Sequence, residues 1–288
     1  MKKTYLDYFL LFVLALIWGS SFILMKKGLI VYSYTQVAAL RLFIAFIFLS
    51  PFLIKAFTKI KKKHIFPLVL TALLGNGIPA FLFTKAQTVL DSSFVGVLNS
   101  LTPLFTLFLG WLFFSNQIRK TNLLGILIGL IGAIYLSSSV TDLQIDLNIY
   151  VFFIILATVF YAASVNIIKN YLYDLDSVSI SSLAFLLLGP FCGYYIFSTD
   201  FINIYSSPEG LLALMYICVL SVIGTALALV IFNKLVQSSS AIFASSVTYL
   251  IPIVAIFWGI VDGEKIHMQY YFGTLIILLA IFLVNRKQ

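Results

Sequence analysis

Residues 75–86, GNGIPAFLFTKA, and residues 94–110, FVGVLNSLTPLFTLFLG, are written twice in this chain. Adding 149 to each number carries Gly75 onto Gly224, Phe83 onto Phe232, Lys85 onto Lys234 and Phe94 onto Phe243. It also carries Leu101 onto Leu250, Pro103 onto Pro252 and Gly110 onto Gly259, with no gap across 36 positions. A chain that repeats at half its length is read as two units first.

The solvent of those units follows from composition. Of 288 residues, 62% are hydrophobic and 10% charged, whereas a soluble protein carries about 25% charged residues. One core cannot bury so much apolar surface, and water cannot solvate it, so the solvent is lipid. The 28 Phe and 16 Tyr suit lipid-facing and interfacial positions. The formal charge of +8 sits in short segments between apolar runs. It reads as membrane topology and not as a nucleic-acid footprint. Cys192 and Cys218 lie inside apolar runs, so packing and not a disulfide framework is expected. Met1-Lys2-Lys3 and the apolar run behind it lack a small-x-small cleavage site and read as a retained first helix.

A helix needs about 20 apolar residues to cross the hydrocarbon core. Ten segments qualify: 6–25, 34–54, 66–85, 92–114, 121–139, 148–168, 178–198, 209–232, 239–260 and 269–285. The expected fold class is therefore all-α and integral to the membrane. The runs are continuously apolar, which excludes β-barrel alternation. With the N-terminus inside, cytoplasmic segments hold Lys2, Lys3, Lys55, Lys59, Lys61, Lys62, Lys63, Arg119, Lys120, Lys169, Lys234, Arg286 and Lys287. Outer segments hold Lys26, Lys27, Lys85 and Lys265. That bias predicts both termini in the cytoplasm of a multi-pass protein in the plasma membrane, here a bacterial inner membrane.

Each half then has five spans, and five is odd. The second half enters the membrane inverted relative to the first, a common plan of secondary transporters. The two repeats are expected at 1–140 and 147–288. Trp18-Gly19-Ser20-Ser21 aligns with Tyr161-Ala162-Ala163-Ser164, and Lys26 with Lys169. Gly125, Gly129 and Gly132 align with Gly273, Ile277 and Ala280. The second and seventh spans match least, and Arg41 has no basic counterpart.

Candidate binding residues come from the polar positions inside spans. Gly96, Asn99, Pro103, Thr106 and Gly110 share one helix face, and Ser245, Thr248, Pro252, Ala255 and Gly259 repeat that stripe. Small residues allow close helix approach, polar ones hydrogen-bond across it, and mid-span proline frees carbonyls that a wet cavity can satisfy. Packing alone and cavity lining are the two readings, and the recurrence favours a cavity. Trp18 with Ser21, and Tyr161 with Ser164, present aromatic and hydroxyl groups on one face. Asn76 is a full amide in hydrocarbon, with Thr225 as its counterpart and Pro79 expected to kink the span. Thr102 and Tyr249 complete the set. Arg41 is the ionisable residue deepest in a span; burying it costs about 2.5 kcal/mol or more, so it needs a partner or water. The expected substrate-binding residues are Trp18, Ser21, Arg41, Asn76, Asn99, Thr102, Tyr161, Ser164, Thr248 and Tyr249. Pro79, Pro103 and Pro252 are the expected kinks.

Several chemistries have no residues to carry them. The secure spans hold no Asp or Glu near mid-depth, so a carboxylate proton relay is not visible. His64 and His267 are expected in loops on opposite sides, which rules out a shared catalytic centre or metal site. There is no CxxC pair and no P-loop. No cofactor, metal or enzymatic activity is expected.

Trp18-Gly19-Ser20-Ser21-Phe22 followed by Lys26 resembles the first-helix signature of the drug/metabolite transporter (DMT) superfamily, in its EamA-type branch. Arg41, the Pro103 and Pro252 helices with glycine-led helices behind them (Gly125, Gly273), and Glu264 fit the same pattern; Asn116 stands where the first copy would have the acid. The resemblance implies a ten-helix bundle in which spans 1, 3, 4, 6, 8 and 9 line a central cavity. Spans 2 and 7 would rock around them, and spans 5 and 10 would be peripheral or dimer-facing. It also implies metabolite or drug transport, often outward. The expected function is export of small organic metabolites such as amino acids by alternating access. The rivals are efflux of cationic drugs and, more remotely, a membrane enzyme or structural protein. The expected partners are the lipid bilayer, a small-molecule substrate and a second copy in a homodimer, without nucleic acid.

Overall fold

Inside hydrocarbon a backbone N–H has no water to bond, so each spanning segment must satisfy its own backbone. A computed structural model describes residues 5–114, 124–125, 127–129, 131–132, 135, 146–265 and 267–285, and every regular element among them is a helix. The helices are α1 (Tyr5–Leu29), α2 (Tyr34–Phe57), α3 (Lys62–Ala86), α4 (Ser92–Phe114), α5 (Asp146–Tyr171) and α6 (Ser177–Phe197). A short α7 (Phe201–Tyr205) precedes α8 (Pro208–Ser238), α9 (Ala241–Val261) and α10 (Met268–Asn285). Eight of these, α1 to α6 with α8 and α9, are long and apolar enough to cross a membrane. The expected fifth span, 121–139, falls largely outside the described residues, and those described between 124 and 135 are helical. Outward-facing aromatics such as Phe191 and Tyr194, 77% and 81% exposed, clothe the bundle in a surface only lipid would solvate.

Helix starts are encoded locally. Ser33 accepts from the Gln36 backbone N–H at 3.3 Å while the Gln36 side chain accepts from the Ser33 N–H at 2.9 Å, a reciprocal box that opens α2. Asp176, Ser207 and Ser240 each cap the N–H three residues on, opening α6, α8 and α9. His64, expected in a loop, instead sits buried in the first turn of α3. Its Nδ1 accepts from the Lys61 N–H at 3.1 Å, which leaves Nε2 to donate to Asp174 at 2.9 Å.

Packing follows membrane rules, in which small residues and not hydrophobicity bring helices together. Gly189 of α6 lies against the Cβ of Phe46 on α2, and Gly193 one turn later against the Phe43 ring.

The two ends of the bundle are fastened differently. At one end Gly263 adopts φ +79°, a left-handed conformation that glycine enters without steric cost. The Glu264 N–H then bonds the Gly259 carbonyl at 2.9 Å and the Gly263 N–H the Ile260 carbonyl at 3.1 Å, the Schellman pattern. That reversal drops the Glu264 side chain, 1% exposed, onto the start of α4. There it accepts from the backbone N–H groups of Ser92 and Ser93, both at 3.1 Å, and from both serine hydroxyls. Lys26 of α1 donates to it at 2.8 Å. Asp91, the N-cap residue of α4, makes no cap bond of its own, so Glu264 supplies the negative charge that end needs. Asp262 ties Lys26 and Lys27 to the same turn. Burial alone would raise the Glu264 pKa, but Lys26, Ser92 and Ser93 outweigh it and hold the carboxylate below its ordinary value. Burial, then the Glu264 charge, push Asp91 the other way.

The other end has Lys59 on Asp176 at 2.6 Å and Lys63 and His64 on Asp174. Burial opposes ionisation of Asp176, yet Lys59 and Ser179 bring it down to about 2. Lys169, the repeat counterpart of Lys26, meets no carboxylate among the described residues and donates to the Ser239 and Gln237 carbonyls at 2.5 and 3.2 Å.

Two outcomes are expected. Gly189→Ala meets the base of Phe46 and cannot be relieved by ring rotation. It should destabilise the protein by about 1–3 kcal/mol, and Gly193→Ala by less, in thermal unfolding of detergent-solubilised protein. A depressed carboxylate gives stability that is present above its unfolded pKa of about 4.3 and lost as pH falls through the lower folded value. Wild type should therefore lose thermal stability in that acid window, and Glu264→Gln should show a smaller loss there from a lower starting point.

Candidate functional site

Four of the spanning helices are interrupted, and their interruptions meet. In α3, Leu73–Gly77 forms a π turn, and in α8, Val222–Leu227 forms another at the aligned place. In α4 the helix stops at Asn99 and resumes at Thr102, and in α9 a 3-10 stretch, Ser246–Tyr249, separates two α segments. Pro79, Pro103 and Pro252 each stand second in the segment that resumes after the break. There the missing N–H falls where the regular ladder is already interrupted, and nearby side chains serve the carbonyl it leaves.

The side chains at these breaks repair them. Asn76 Nδ2 donates to the Thr71 carbonyl at 3.3 Å, and Thr225 Oγ1 donates to the Leu220 carbonyl at 3.0 Å, each reaching five residues back. These are equivalent bonds in the two copies. The Asn99 carbonyl, which Pro103 cannot serve, accepts from Thr102 Oγ1 at 2.8 Å.

The breaks surround a central cavity with about 100 Å³ of free space for water centres, room for several waters at about 10–15 Å³ each. Of the expected binding residues, Trp18, Ser21, Arg41, Asn76, Asn99, Thr102, Tyr161, Ser164 and Thr248 all line it. Tyr249 does not; it packs, half-buried, against the apolar core.

The walls are built crosswise between the halves. Gly75 of α3 lies against the Ser164 side chain of α5, and Gly224 of α8 against the Ser21 side chain of α1. The Trp18 indole donates to the Gly224 carbonyl at 3.0 Å. Trp18 packs on Phe232 at 5.0 Å between centroids, and Tyr161 stacks on Phe83 at 5.6 Å. Phe83 and Phe232 are repeat counterparts, as are Trp18 and Tyr161, so the cavity holds the same aromatic pair twice.

Lining residues that the sequence reading did not assign to the site include Thr71, Ser181, Thr225, Asn233 and Ser245. Thr225 and Ser245 were visible as repeat counterparts of Asn76 and Gly96. Asn233, which donates to Ser181 Oγ at 3.0 Å, is likewise the counterpart of Thr84, whereas Ser181 lies in the least repetitive span and had no such signal. Spans 2 and 7, expected to stand outside the wall, contribute Arg41, Ser181 and Phe185 to it. Among the described residues Arg41 is the one charged residue of the lining, and its Nε donates to Thr225 Oγ1 at 2.6 Å.

Comparison with known proteins agrees with this architecture. A family model described as the EamA-like transporter family matches twice, over residues 6–138 and 148–286. Two uncharacterized transporters of Archaeoglobus fulgidus are similar. One is 24% identical over 273 residues, covering 94% of this chain and 95% of that one. The other is 26% identical over 300 residues, covering 100% and 88%. A solved crystal structure shares the fold at a TM-score of 0.69, with 13% identity over 99% of this chain and 98% of that one. With both halves matched and the cavity assembled from their paired breaks, this chain belongs to the EamA-like transporter family.

Proposed function

We propose that this membrane transporter carries small neutral or zwitterionic organic metabolites, amino acids among them, outward across the plasma membrane by alternating access through the central cavity. The observation that carries the reading is the convergence of four broken helices on one polar, aromatic-walled space. Backbone irregularity at membrane depth is tolerated where it is buried in protein or lines a cavity, and transporters place substrate sites at such discontinuous helices.

In this reading the chain holds ten spans in two inverted units, 1–140 and 147–288, with both termini cytoplasmic. The doubled family match, the paired π turns and the doubled aromatic pair support the two units. The Glu264 clasp would be the outer gate and the Lys59, Lys63 and Lys169 contacts the inner one. Because α3 packs on α5 and α8 on α1, a tilt of one unit changes the walls at both ends together. Residues of spans 5 and 10 would face lipid or a second copy.

Efflux of cationic drugs fits less well. No lining residue is acidic, and Arg41 repels a cation in a low-dielectric site. Phosphorylated solutes fit poorly as well, since one guanidinium is a thin complement to a dianion.

The test is flux in proteoliposomes, after untargeted metabolite profiling of cells with and without the protein has supplied a substrate. Asn99→Leu and Tyr161→Ala should each slow transport about tenfold, the scale of losing one buried hydrogen-bonding or stacking partner, in protein that still elutes as a single species. Unchanged flux in both variants would overturn the site assignment.

A further inference from the structure

We infer that the cavity selects solutes carrying a carboxylate beside a hydrogen-bond donor: the carboxylate at the Arg41 fork that Thr225 orients, the donor at the Asn76 side-chain oxygen. This rests on the transport reading above and narrows it to a class, amino and hydroxy carboxylates.

The first observation is a charge without a countercharge. Arg41 stands in the wall of the cavity, within a spanning helix, and forms no ion pair among the described residues. One of its five N–H groups is used, on Thr225 Oγ1. Thr225 is itself held, because its hydroxyl proton goes to the Leu220 carbonyl in the π turn. The threonine oxygen therefore faces Arg41 as an acceptor only, which fixes the guanidinium plane at Nε and leaves the terminal fork unoccupied. A planar fork of N–H donors is the complement of a carboxylate, which it binds through two parallel hydrogen bonds. A charge at this depth is costly until something neutralises or hydrates it. A single negative group on the solute does so without adding net charge to the wall.

The second observation is independent and opposite in polarity. Asn76 Oδ1 and Thr71 Oγ1 are buried without a hydrogen-bond partner, in residues 8% and 2% exposed, and both residues line the cavity. The Asn76 amide has one end spent on the Thr71 carbonyl, so its oxygen is the end left over. The Thr71 hydroxyl can donate or accept, but the Asn76 oxygen can only accept, and an unpaired buried acceptor is expensive until a donor reaches it. An ammonium or hydroxyl on the solute supplies that donor, and a bare carboxylate does not. The doubled aromatic pairs line the same cavity and offer an apolar body somewhere to pack.

The test uses the full chain in proteoliposomes and four probes of one shape. Leucine has both groups, leucinamide lacks the carboxylate, 4-methylpentanoate lacks the donor and isopentylamine lacks the carboxylate. Each is scored as a competitor of the flux that profiling identifies. Wild type should prefer leucine over leucinamide and isopentylamine by about ten- to a hundredfold, and over 4-methylpentanoate by about tenfold. Arg41→Gln should erase the preference over leucinamide. Arg41→Lys should restore part of it, since a point charge replaces the fork. Asn76→Leu should erase the preference over 4-methylpentanoate while keeping that over leucinamide. Should Arg41→Gln fail to fold, Thr225→Val carries the test, because it releases the fork and keeps the charge. Leucinamide competing as well as leucine in wild type would overturn the inference. So would a flux carried only by solutes without a carboxylate, which leaves the transport reading standing. Absence of any flux would overturn both.

Discussion

The structure depends on one constraint: in hydrocarbon, no backbone N–H or carbonyl goes unpaired without large cost. An unbroken helix meets that constraint wherever it lies. A broken one meets it only next to something polar. Four of the spanning helices are broken, and side chains at each of the four breaks line a single cavity. The cavity is the place where the breaks are affordable, and the breaks are what make the cavity polar. Asn76, Thr225 and Thr102 serve both ends of that relation, since each bonds a loosened carbonyl and also forms wall.

The second organising fact is the exchange between halves. Each π-turn glycine, Gly75 or Gly224, presses on a serine from the first helix of the other half. Each aromatic pair, Trp18 with Phe232 and Tyr161 with Phe83, likewise joins the two halves. Neither half has a complete wall alone. The ends, in contrast, have diverged. Glu264 gathers α1, α4 and the turn after α9 into one charged knot, whereas at the other end Asp174 and Asp176 hold Lys63, His64 and Lys59, and Lys169 bonds the Gln237 and Ser239 carbonyls. Carbonyls bind an ammonium less tightly than a buried carboxylate with four further hydrogen bonds does. The near-symmetric cavity is therefore set in a bundle whose repeat-related lysines are fastened differently.

Most of the fold was legible because its causes are local or periodic. Span positions follow from runs of apolar residues, helix starts from Ser33, Asp176, Ser207 and Ser240, and the two-unit plan from the offset that carries Gly75 onto Gly224. The polar lining of the cavity was legible in part, since Trp18, Ser21, Arg41, Asn76, Asn99, Thr102, Tyr161, Ser164 and Thr248 all stood out as polar or aromatic positions inside spans. What failed is instructive. Tyr249 was open to two readings, lining or packing, and it packs half-buried against the apolar core. His64 was read as loop because it follows a lysine run, although its ring completes the first turn of α3.

The sequence by itself determined that this chain lives in lipid, that it consists of two related units and which residues are polar at depth. These are consequences of composition and spacing, and they hold whatever the packing. Tertiary structure decided which of those polar groups satisfy one another and which are left over. Among the described residues Arg41 meets Thr225 and no acid, the Asn76 oxygen is left over, and Glu264 closes over α4, outcomes that involve residues up to hundreds of positions apart. Such pairings depend on angles between helices, and those are set by where small residues let one backbone approach another.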